Sequence, residues 1–115
     1  MKLKILKSKI HRATVTDANL DYMGSLTLDE NLMRAADLNE YEKVQVLNIT
    51  NGSRLETYVI KGSLGLGEVC INGAAAHLVS KGDLVIIVAF CSVHESVVRS
   101  FKPTIVCVDE NNKVS

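Results

Sequence analysis

The chain has 115 residues, and its 47% of apolar residues is typical of a folded protein and not of a disordered one. Its 13 basic and 13 acidic side chains balance, so no overall field attracts nucleic acid or an anionic membrane. Aromatic residues make up only 4% and tryptophan is absent, which removes the stacking platforms that single-stranded nucleic acid uses. We predict one domain over residues 1–115, without a nucleic-acid or membrane partner.

The cysteines and the N-terminal segment indicate the compartment. Cys70, Cys91 and Cys107 form no C-x-x-C pair and lie in apolar stretches, which predicts buried free thiols in a reducing cytoplasm. The first seven residues alternate lysine with aliphatic residues and contain no continuous apolar segment, so they predict no signal peptide. The longest apolar run, residues 84–91, is too short to span a bilayer.

The first third of the chain predicts a strand, a turn and a short helix. Alternation over residues 2–16 predicts a strand that carries Lys9 and His11 on one face. Residues 17–24 predict a turn region. Thr27 and Glu30 have the spacing of a capping box, in which each side chain satisfies a free backbone donor at a helix start. The helix is predicted to run to about Ala36.

A β-hairpin is the clearest local pattern. Residues 44–50 and 54–60 are rich in β-forming residues, and Asn51-Gly52 between them favours a tight turn. The second strand then has Arg54, Glu56 and Tyr58 on one face by its period of two.

The remaining elements are short. We predict a flexible connector over residues 62–67, strands over 69–71, 84–90 and 104–108, one helical turn over 73–77, and a frayed polar tail from Asp109 onward. Many short strands and few helical patterns favour a mainly β protein, built as a small closed barrel.

Several residues suit chemistry, although each has an ordinary structural interpretation. Arg54 offers a fork for a carboxylate and Tyr58 offers a proton, but a polar strand face is the commoner explanation of such a pair. Lys9 and His11, taken alone, are more often solvated than catalytic. Ser25 follows Gly24 in a turn without a G-x-S-x-G motif, so hydrolase chemistry has no support.

The small residues after Asn72 allow two interpretations. Gly73, Ala74 and Ala75 let a ligand approach the backbone closely, or they serve tight packing between elements. The glycines of residues 62–67 lack the lysine and the spacing of a phosphate-binding loop. His77 and His94 lack metal-ligand spacing, so we predict no metal site.

Together these segments resemble one family, the pyruvoyl-dependent aspartate 1-decarboxylases. The resemblance spans essentially the whole chain in the order of the family, and each motif is weak alone but all of them in register are specific. The residues that carry it are Lys9-Ile10-His11-Arg12, Tyr22-Met23-Gly24-Ser25, Thr50-Asn51-Gly52-x-Arg54, Thr57-Tyr58, Asn72-Gly73-Ala74-Ala75-Ala76-His77 and Gly82-Asp83-x-Val85-Ile86-Ile87.

The resemblance implies a fold, an assembly and a cofactor. The fold is a six-stranded double-psi β-barrel with short helices, and the assembly is a homotetramer with active sites between subunits. Ser25 attacks the Gly24 carbonyl, and the chain cleaves itself into residues 1–24 and residues 25–115. Residue 25 becomes a pyruvoyl group, which forms a Schiff base with the substrate amine and replaces pyridoxal phosphate as electron acceptor. The reaction converts L-aspartate to β-alanine and CO2 for pantothenate and coenzyme A biosynthesis in the cytoplasm.

The resemblance also implies roles for single residues. Thr57 stabilises the oxyanion during cleavage, and Tyr58 reprotonates the carbanion. Arg54 holds a substrate carboxylate while Lys9 adds positive potential. Asn72, Gly73, Ala74 and Ala75 line the pocket, and His11 and Tyr22 support it.

Three alternatives remain. Another pyruvoyl-dependent decarboxylase would act on histidine, arginine or S-adenosylmethionine, although those families differ in length and around the cleavage site. A double-psi barrel without catalytic activity would serve as a binding or DNA-contacting module. A proenzyme could also stay uncleaved until an accessory maturation factor binds it.

Overall fold

Eight strands in one mixed sheet dominate the computed structural model, which describes all 115 residues. The predicted mainly β class is confirmed. None of the helices has the length and apolar character that crossing a bilayer requires. The strands are Lys2–Thr14 (β1), Asp17–Asn19 (β2), Ser25–Leu28 (β3), Lys43–Asn48 (β4), Arg54–Lys61 (β5), Val69–Asn72 (β6), Leu84–His94 (β7) and Thr104–Cys107 (β8). The helices are Glu30–Ala35 (α1) and two 3₁₀ segments, Gly73–Leu78 and Glu95–Val97.

Strands β1 and β2 are consecutive in the chain but lie near opposite edges of the sheet. The strand order is β2-β6-β3-β5-β4-β7-β1-β8. Only Val15 and Thr16 separate β1 from β2, and the Thr16 N–H donates to the Val69 carbonyl at 2.8 Å. If β1 and β2 are counted as one strand line, six lines pair in a closed cycle, and β8 lies against the outer side of β1.

Aliphatic side chains fill the space that the strands enclose. Alternation is clear in β4, where Val44 and Val46 are buried between half-buried neighbours, and in β5, where Leu55 and Val59 are buried. Twenty buried residues form one cluster. Each fully buried aliphatic side chain stabilises the fold by about 1.5–3 kcal/mol, so this cluster is the main source of stability.

The first strand is less regular than its sequence predicts. It ends at Thr14 and not at residue 16, and its register against β7 shifts between Leu6 and Ser8 and again between Ile10 and Ala13. Arg12 lies in the second irregularity with a positive φ of 65°. Such bulges bend a strand and re-aim its side chains, which simple alternation cannot show.

The predicted capping box is wrong. Thr27 belongs to β3, and the N-cap of α1 is Asp29, whose Oδ1 accepts the Asn31 N–H at 2.8 Å. The buried Asp29 carboxylate also accepts the N–H groups of Gly65 at 3.0 Å and Gly67 at 2.6 Å. One aspartate therefore caps the helix and fastens the 62–67 connector, which the glycines alone predicted to be flexible.

The β4–β5 hairpin is confirmed, but its turn is wider than predicted. Five residues, 49–53, separate the two strands. Gly52 has φ +80°, and the Asn51 Oδ1 accepts the Ser53 N–H at 2.9 Å. Asn51-Gly52 thus supplies local turn chemistry inside a longer loop.

Three other predictions need correction. The tail is not frayed: Asn112 is buried and pairs with both backbone groups of Thr14 at 2.8 Å, while its Nδ2 also donates to the Gly67 carbonyl. Residues 17–24 include the short strand β2 and are not only a turn. Of the three thiols only Cys70 is buried, since Cys91 is half-buried and Cys107 is exposed.

Candidate active site

Four polar side chains lie together on one face of strands β3 and β6. The strands pair antiparallel with Ser25 opposite Asn72 and Thr27 opposite Cys70, so these four side chains share a face. The opposite face carries Leu26 and other core residues that are fully buried. The resulting cluster is called the Ser25 face below.

Asn72 is the centre of the Ser25 face. It is buried, and its Nδ2 donates to the Ser25 Oγ at 3.1 Å and to the Thr27 Oγ1 at 2.9 Å. Its Oδ1 accepts the Cys70 thiol at 3.2 Å. The Asn72 amide is therefore satisfied at both ends, as a buried amide requires.

Ser25 itself is 1% exposed, and its hydroxyl proton has only a long contact of 3.5 Å with the Met23 carbonyl. A buried hydroxyl normally donates a shorter hydrogen bond. The oxygen is thus held by Asn72 while its proton is weakly engaged. This is a suitable ground state for a hydroxyl that attacks a neighbouring carbonyl.

The backbone before Ser25 is open on one side and touched by Gly73 on the other. Gly73 has φ +69°, and a Cβ placed on it would lie 2.7 Å from the Gly24 Cα and 3.2 Å from the Tyr22 carbonyl oxygen. A Cβ on Gly24 would meet nothing within 4 Å. The glycine with a positive φ and crowded surroundings is therefore Gly73 and not Gly24.

Thr57 and Tyr58 lie on the strand next to β3. The parallel pairing of β3 with β5 places Leu26 opposite Val59, and continuing this register back by one residue places Ser25 beside Tyr58 and Gly24 beside Thr57. Tyr58 is 40% exposed, and neither its hydroxyl nor that of Thr57 makes a hydrogen bond. Both hydroxyls are free to serve a reaction at the Gly24–Ser25 bond.

The remaining pocket residues border this bond to different degrees. Tyr22 is 54% exposed and precedes it, and its carbonyl faces Gly73. Ala74 is exposed and Ala75 half-buried in the 3₁₀ helix that leaves Asn72. The predicted helical turn over residues 73–77 is confirmed, and it begins with Gly73, which lies against Gly24.

None of the predicted cations makes a hydrogen bond with the residues of the Ser25 face. Lys9 and His11 lie on β1, which pairs with β7 and β8 and not with β3, whereas Arg54 begins β5, the strand next to β3. Lys9 is half-buried and Arg54 is exposed, and neither has a hydrogen-bond or ion-pair partner. The His11 Nδ1 is buried without a partner.

Glu56 does not neutralise Arg54 although the two share a strand face. Its carboxylate pairs with Lys43 at 2.6 Å, and this ammonium group lowers the pKa of Glu56. Arg54 therefore keeps an unpaired guanidinium, which is what an anionic ligand needs.

Sequence reasoning missed a latch between the hairpin and the 3₁₀ helix. The Leu78 carbonyl, at the end of that helix, accepts the Asn48 Nδ2 at 3.3 Å, the Asn51 Nδ2 at 3.0 Å and the Ser53 Oγ at 3.0 Å. The Asn48 Nδ2 also donates to the Asp83 Oδ2 at 2.8 Å, and this bond is the main cause of the lowered pKa of Asp83. The latch fixes the loop that precedes Arg54 against the segment that begins at Asn72.

Thr27 and Cys70 were also missed as members of the site. The period of two on β6 places Cys70 on the face of Asn72, and the same period on β3 places Thr27 with Ser25. That signal was present in the sequence, but it needed the pairing of β3 with β6, which local patterns do not reveal.

Comparison with known proteins agrees with this geometry. A profile of the family described as aspartate decarboxylase matches residues 1–115. An aspartate 1-decarboxylase from Caldicellulosiruptor saccharolyticus is 60% identical over 114 residues, which cover 99% of this chain and 89% of the relative. One from Myxococcus xanthus is 59% identical with 99% and 88% covered, and one from Campylobacter fetus subsp. fetus is 55% identical with 100% and 99% covered. The chain therefore belongs to the aspartate decarboxylase family.

Proposed function

We propose that this protein is a pyruvoyl-dependent carboxy-lyase that converts L-aspartate to β-alanine and CO2. The observation that carries the proposal is the Ser25 face. A buried hydroxyl is held by Asn72 directly after Gly24, whose surroundings are open. Family membership and the names of the relatives support the substrate.

The proposed maturation uses only groups of the chain and one water. The Ser25 Oγ bonds to the Gly24 carbonyl carbon, the Gly24–Ser25 C–N bond breaks, and the nitrogen takes up the hydroxyl proton. Loss of the Ser25 α-proton then expels the Gly24 carboxylate and leaves a dehydroalanine. Water replaces its nitrogen as ammonia, and residue 25 becomes a pyruvoyl group at the start of the 25–115 fragment.

Neighbouring residues suit this maturation. The Thr57 hydroxyl lies on the strand beside Gly24 without a hydrogen-bond partner, so it is available to stabilise the oxyanion. Asn72 holds the attacking oxygen at 3.1 Å. The residues present therefore fit the formation of a pyruvoyl group at position 25.

Substrate handling falls to side chains outside the Ser25 face. A pyruvoyl carbonyl would supply an electron acceptor for decarboxylation, the role that pyridoxal phosphate has in other enzymes. Arg54 binds a carboxylate through its fork, Lys9 adds positive potential, and Tyr58 delivers a proton to the substrate carbon. Asn72 and the small residues Gly73, Ala74 and Ala75 form the wall, supported by His11 and Tyr22.

A homotetramer with sites between subunits follows from the same proposal. Within one chain, Lys9 lies on β1, which does not pair with the strand of Ser25, and Arg54 on the neighbouring strand β5 has no ion-pair partner. A second copy can bring further cations to the Ser25 face. The closed cycle of six strand lines is compatible with a double-psi β-barrel, the fold proposed here. We place the enzyme in the cytoplasm, where β-alanine supplies pantothenate and coenzyme A biosynthesis.

Intact-mass spectrometry of purified protein tests the proposal. We expect fragments 1–24 and 25–115, with the larger one lighter by one ammonia than simple hydrolysis would leave it. Cyanoborohydride in the presence of aspartate should add the amine to that fragment. An aged, competent sample that never captures an amine would contradict the proposed cofactor.

Two further assays separate the alternatives. Release of CO2 from a panel of aspartate, histidine, arginine and S-adenosylmethionine should be confined to aspartate, and release from another amino acid would reject the substrate. If the purified chain stays intact but is cleaved after addition of cell extract, a maturation factor is needed.

A further inference from the structure

We infer that Cys70 is a positioning residue for self-cleavage, because its thiol holds the Asn72 amide in the orientation that presents Nδ2 to the Ser25 oxygen. This inference rests on the proposed function, since it concerns the Gly24–Ser25 cleavage. The proposed cleavage steps do not use the Cys70 thiol as a reactant.

The geometry of the four-residue cluster carries the inference. Asn72 lies opposite Ser25 and diagonal to Thr27 on β3, and both of its Nδ2 contacts, at 3.1 Å to Ser25 and 2.9 Å to Thr27, lie at the same end of the amide. The other end has one partner, the Cys70 sulfur at 3.2 Å from Oδ1. Hydroxyls both donate and accept, so Ser25 and Thr27 do not by themselves determine which end of the amide faces them.

The thiol therefore biases the orientation, because sulfur is a weak acceptor and would satisfy an amide NH2 group poorly. An S–H that donates to Oδ1 turns Nδ2 toward β3, where it can donate to both hydroxyls. In the flipped amide, Ser25 would have to donate its proton to Oδ1, and its oxygen would lose the hydrogen bond that holds it for attack. The NH2 group would then face the sulfur, and burial makes such a poorly satisfied donor costly.

The surroundings keep this thiol protonated. Burial raises the pKa of Cys70, and the negative charges of Asp17 and Glu68 raise it further. The sulfur therefore remains a donor at neutral pH. Its one hydrogen bond is to Asn72, so no other acceptor competes for the thiol proton.

The test compares cleavage rates of freshly translated wild type, Cys70→Ala and Cys70→Ser by intact mass. Loss of one modest hydrogen bond is expected to slow cleavage of Cys70→Ala by about two- to tenfold. Cys70→Ser keeps a donor, although its hydroxyl accepts more readily than sulfur, and should cleave faster than Cys70→Ala. Cys91→Ala is the matched control, because Cys91 is a half-buried thiol without a hydrogen bond on another strand.

Rescue by serine separates positioning from packing, since serine is smaller than cysteine and fills the site less well. Equal cleavage rates in wild type and Cys70→Ala would overturn the inference while leaving the proposed function intact. A Cys70→Ser protein that cleaves no faster than Cys70→Ala, with the melting temperature of wild type, would also overturn it.

A direct measurement covers the case in which the wild-type chain does not cleave even after addition of cell extract, which would reject the proposed function. In the intact ¹⁵N-labelled chain, the Asn72 side-chain amide protons should exchange with solvent faster in Cys70→Ala than in wild type or Cys70→Ser. Unchanged exchange in Cys70→Ala would overturn the positioning role of Cys70 independently of any cleavage.

Discussion

The Ser25 face and the cationic side chains differ in how far one chain completes them. Ser25 and Asn72 are buried and joined by a hydrogen bond within a single sheet. Lys9 and Arg54 have no hydrogen-bond or ion-pair partners; Lys9 lies on β1, which does not pair with β3, and Arg54 is the first residue of β5, the strand next to β3. The proposed self-cleavage would thus use groups that one chain brings together, whereas the proposed substrate binding would use groups that this fold leaves unpaired.

This difference predicts that mutations can affect the rate of self-cleavage and the turnover of substrate separately. A change on the Ser25 face acts first on cleavage, and activity falls as a consequence. A change among the unpaired cations should leave cleavage intact and act only on the substrate. The predictions below test this division, beginning with the largest expected effect.

Ser25→Ala should abolish both cleavage and activity, because no other nucleophile adjoins the Gly24 carbonyl. Intact-mass spectrometry should show one uncleaved chain, and CO2 release from aspartate should be absent. Ser63→Ala, which changes an exposed serine without a side-chain hydrogen bond, is the control and should behave as wild type. Activity in Ser25→Ala would defeat the proposed cofactor.

Tyr58→Phe should cleave normally and decarboxylate about 10²–10⁴-fold more slowly, the usual contribution of a positioned proton donor. The fold should be unchanged, because the Tyr58 hydroxyl has no partner and the side chain is 40% exposed. Single-turnover CO2 release from fully cleaved protein is the measurement. Tyr41→Phe alters a tyrosine that is 72% exposed and serves as the control. Normal turnover by Tyr58→Phe would reject its role.

Arg54→Lys should raise KM for aspartate by about ten- to hundredfold with little change in cleavage, since a point charge replaces a two-pronged donor. Steady-state kinetics on cleaved protein would show it. Arg99→Lys provides the matched change at an exposed arginine outside the site. An unchanged KM would show that Arg54 is a structural residue. The separation of cleavage residues from substrate-binding residues would then lose its main support.

The latch at Leu78 should give a smaller effect. Replacing both Asn51 and Ser53 by alanine removes two of the three donors to the Leu78 carbonyl. We expect KM to rise by about two- to tenfold, because the loop before Arg54 loosens, while cleavage stays at the wild-type rate. Ser92→Ala is the control, as Ser92 is exposed and makes no side-chain hydrogen bond. A parallel loss of cleavage would show that the latch supports the Ser25 face as well.

Asp29 should affect stability in acid and have the least effect on activity. Burial tends to raise its pKa, but the N–H groups of Gly65, Asn31 and Gly67 and the charge of Lys113 hold it below the ordinary 3.8. Its contribution to stability is therefore full above the ordinary pKa and is lost as the pH falls through the lower folded value. Urea unfolding from pH 6 to pH 2.5 should show this decline.

Asp29→Asn should remove that part of the decline and cost about 1–3 kcal/mol at neutral pH, because the new NH2 would face a backbone donor. Asp37→Asn is the matched control on an exposed aspartate with positive φ. An Asp29→Asn protein as stable as wild type at neutral pH would show that the three backbone contacts contribute little.

Local sequence patterns predicted the strands and helices of the fold better than the contacts between distant segments. The β4–β5 hairpin and the 3₁₀ turn after Asn72 follow from nearest neighbours in sequence. The N-cap at Asp29 does not, because its carboxylate was selected by the glycine loop more than thirty residues away. The ordered tail fails for the same reason, since Asn112 is buried only through contacts with Thr14 and Gly67.

The site shows the same division. Ser25, Tyr58 and Asn72 were predicted through the resemblance, and strand pairing brings Ser25 and Asn72 together. Thr27 and Cys70 could not be chosen from sequence, because their proximity depends on which strand lies beside β3. The placement of Lys9 relative to Ser25 also stays a prediction, since one chain holds them on separated strands.

The position of β1 has a consequence for a cleaved molecule. β1 lies between β7 and β8, and Thr14 is held by Asn112, so every neighbour of this strand belongs to the 25–115 fragment. After scission the short peptide would remain lodged as a non-covalent insert. Once denatured, however, the two pieces would have to find each other by diffusion, so recovery would become second order and dependent on protein concentration. The uncleaved precursor can refold as a single chain, whereas a cleaved molecule with its keto terminus could refold only when its two fragments associate.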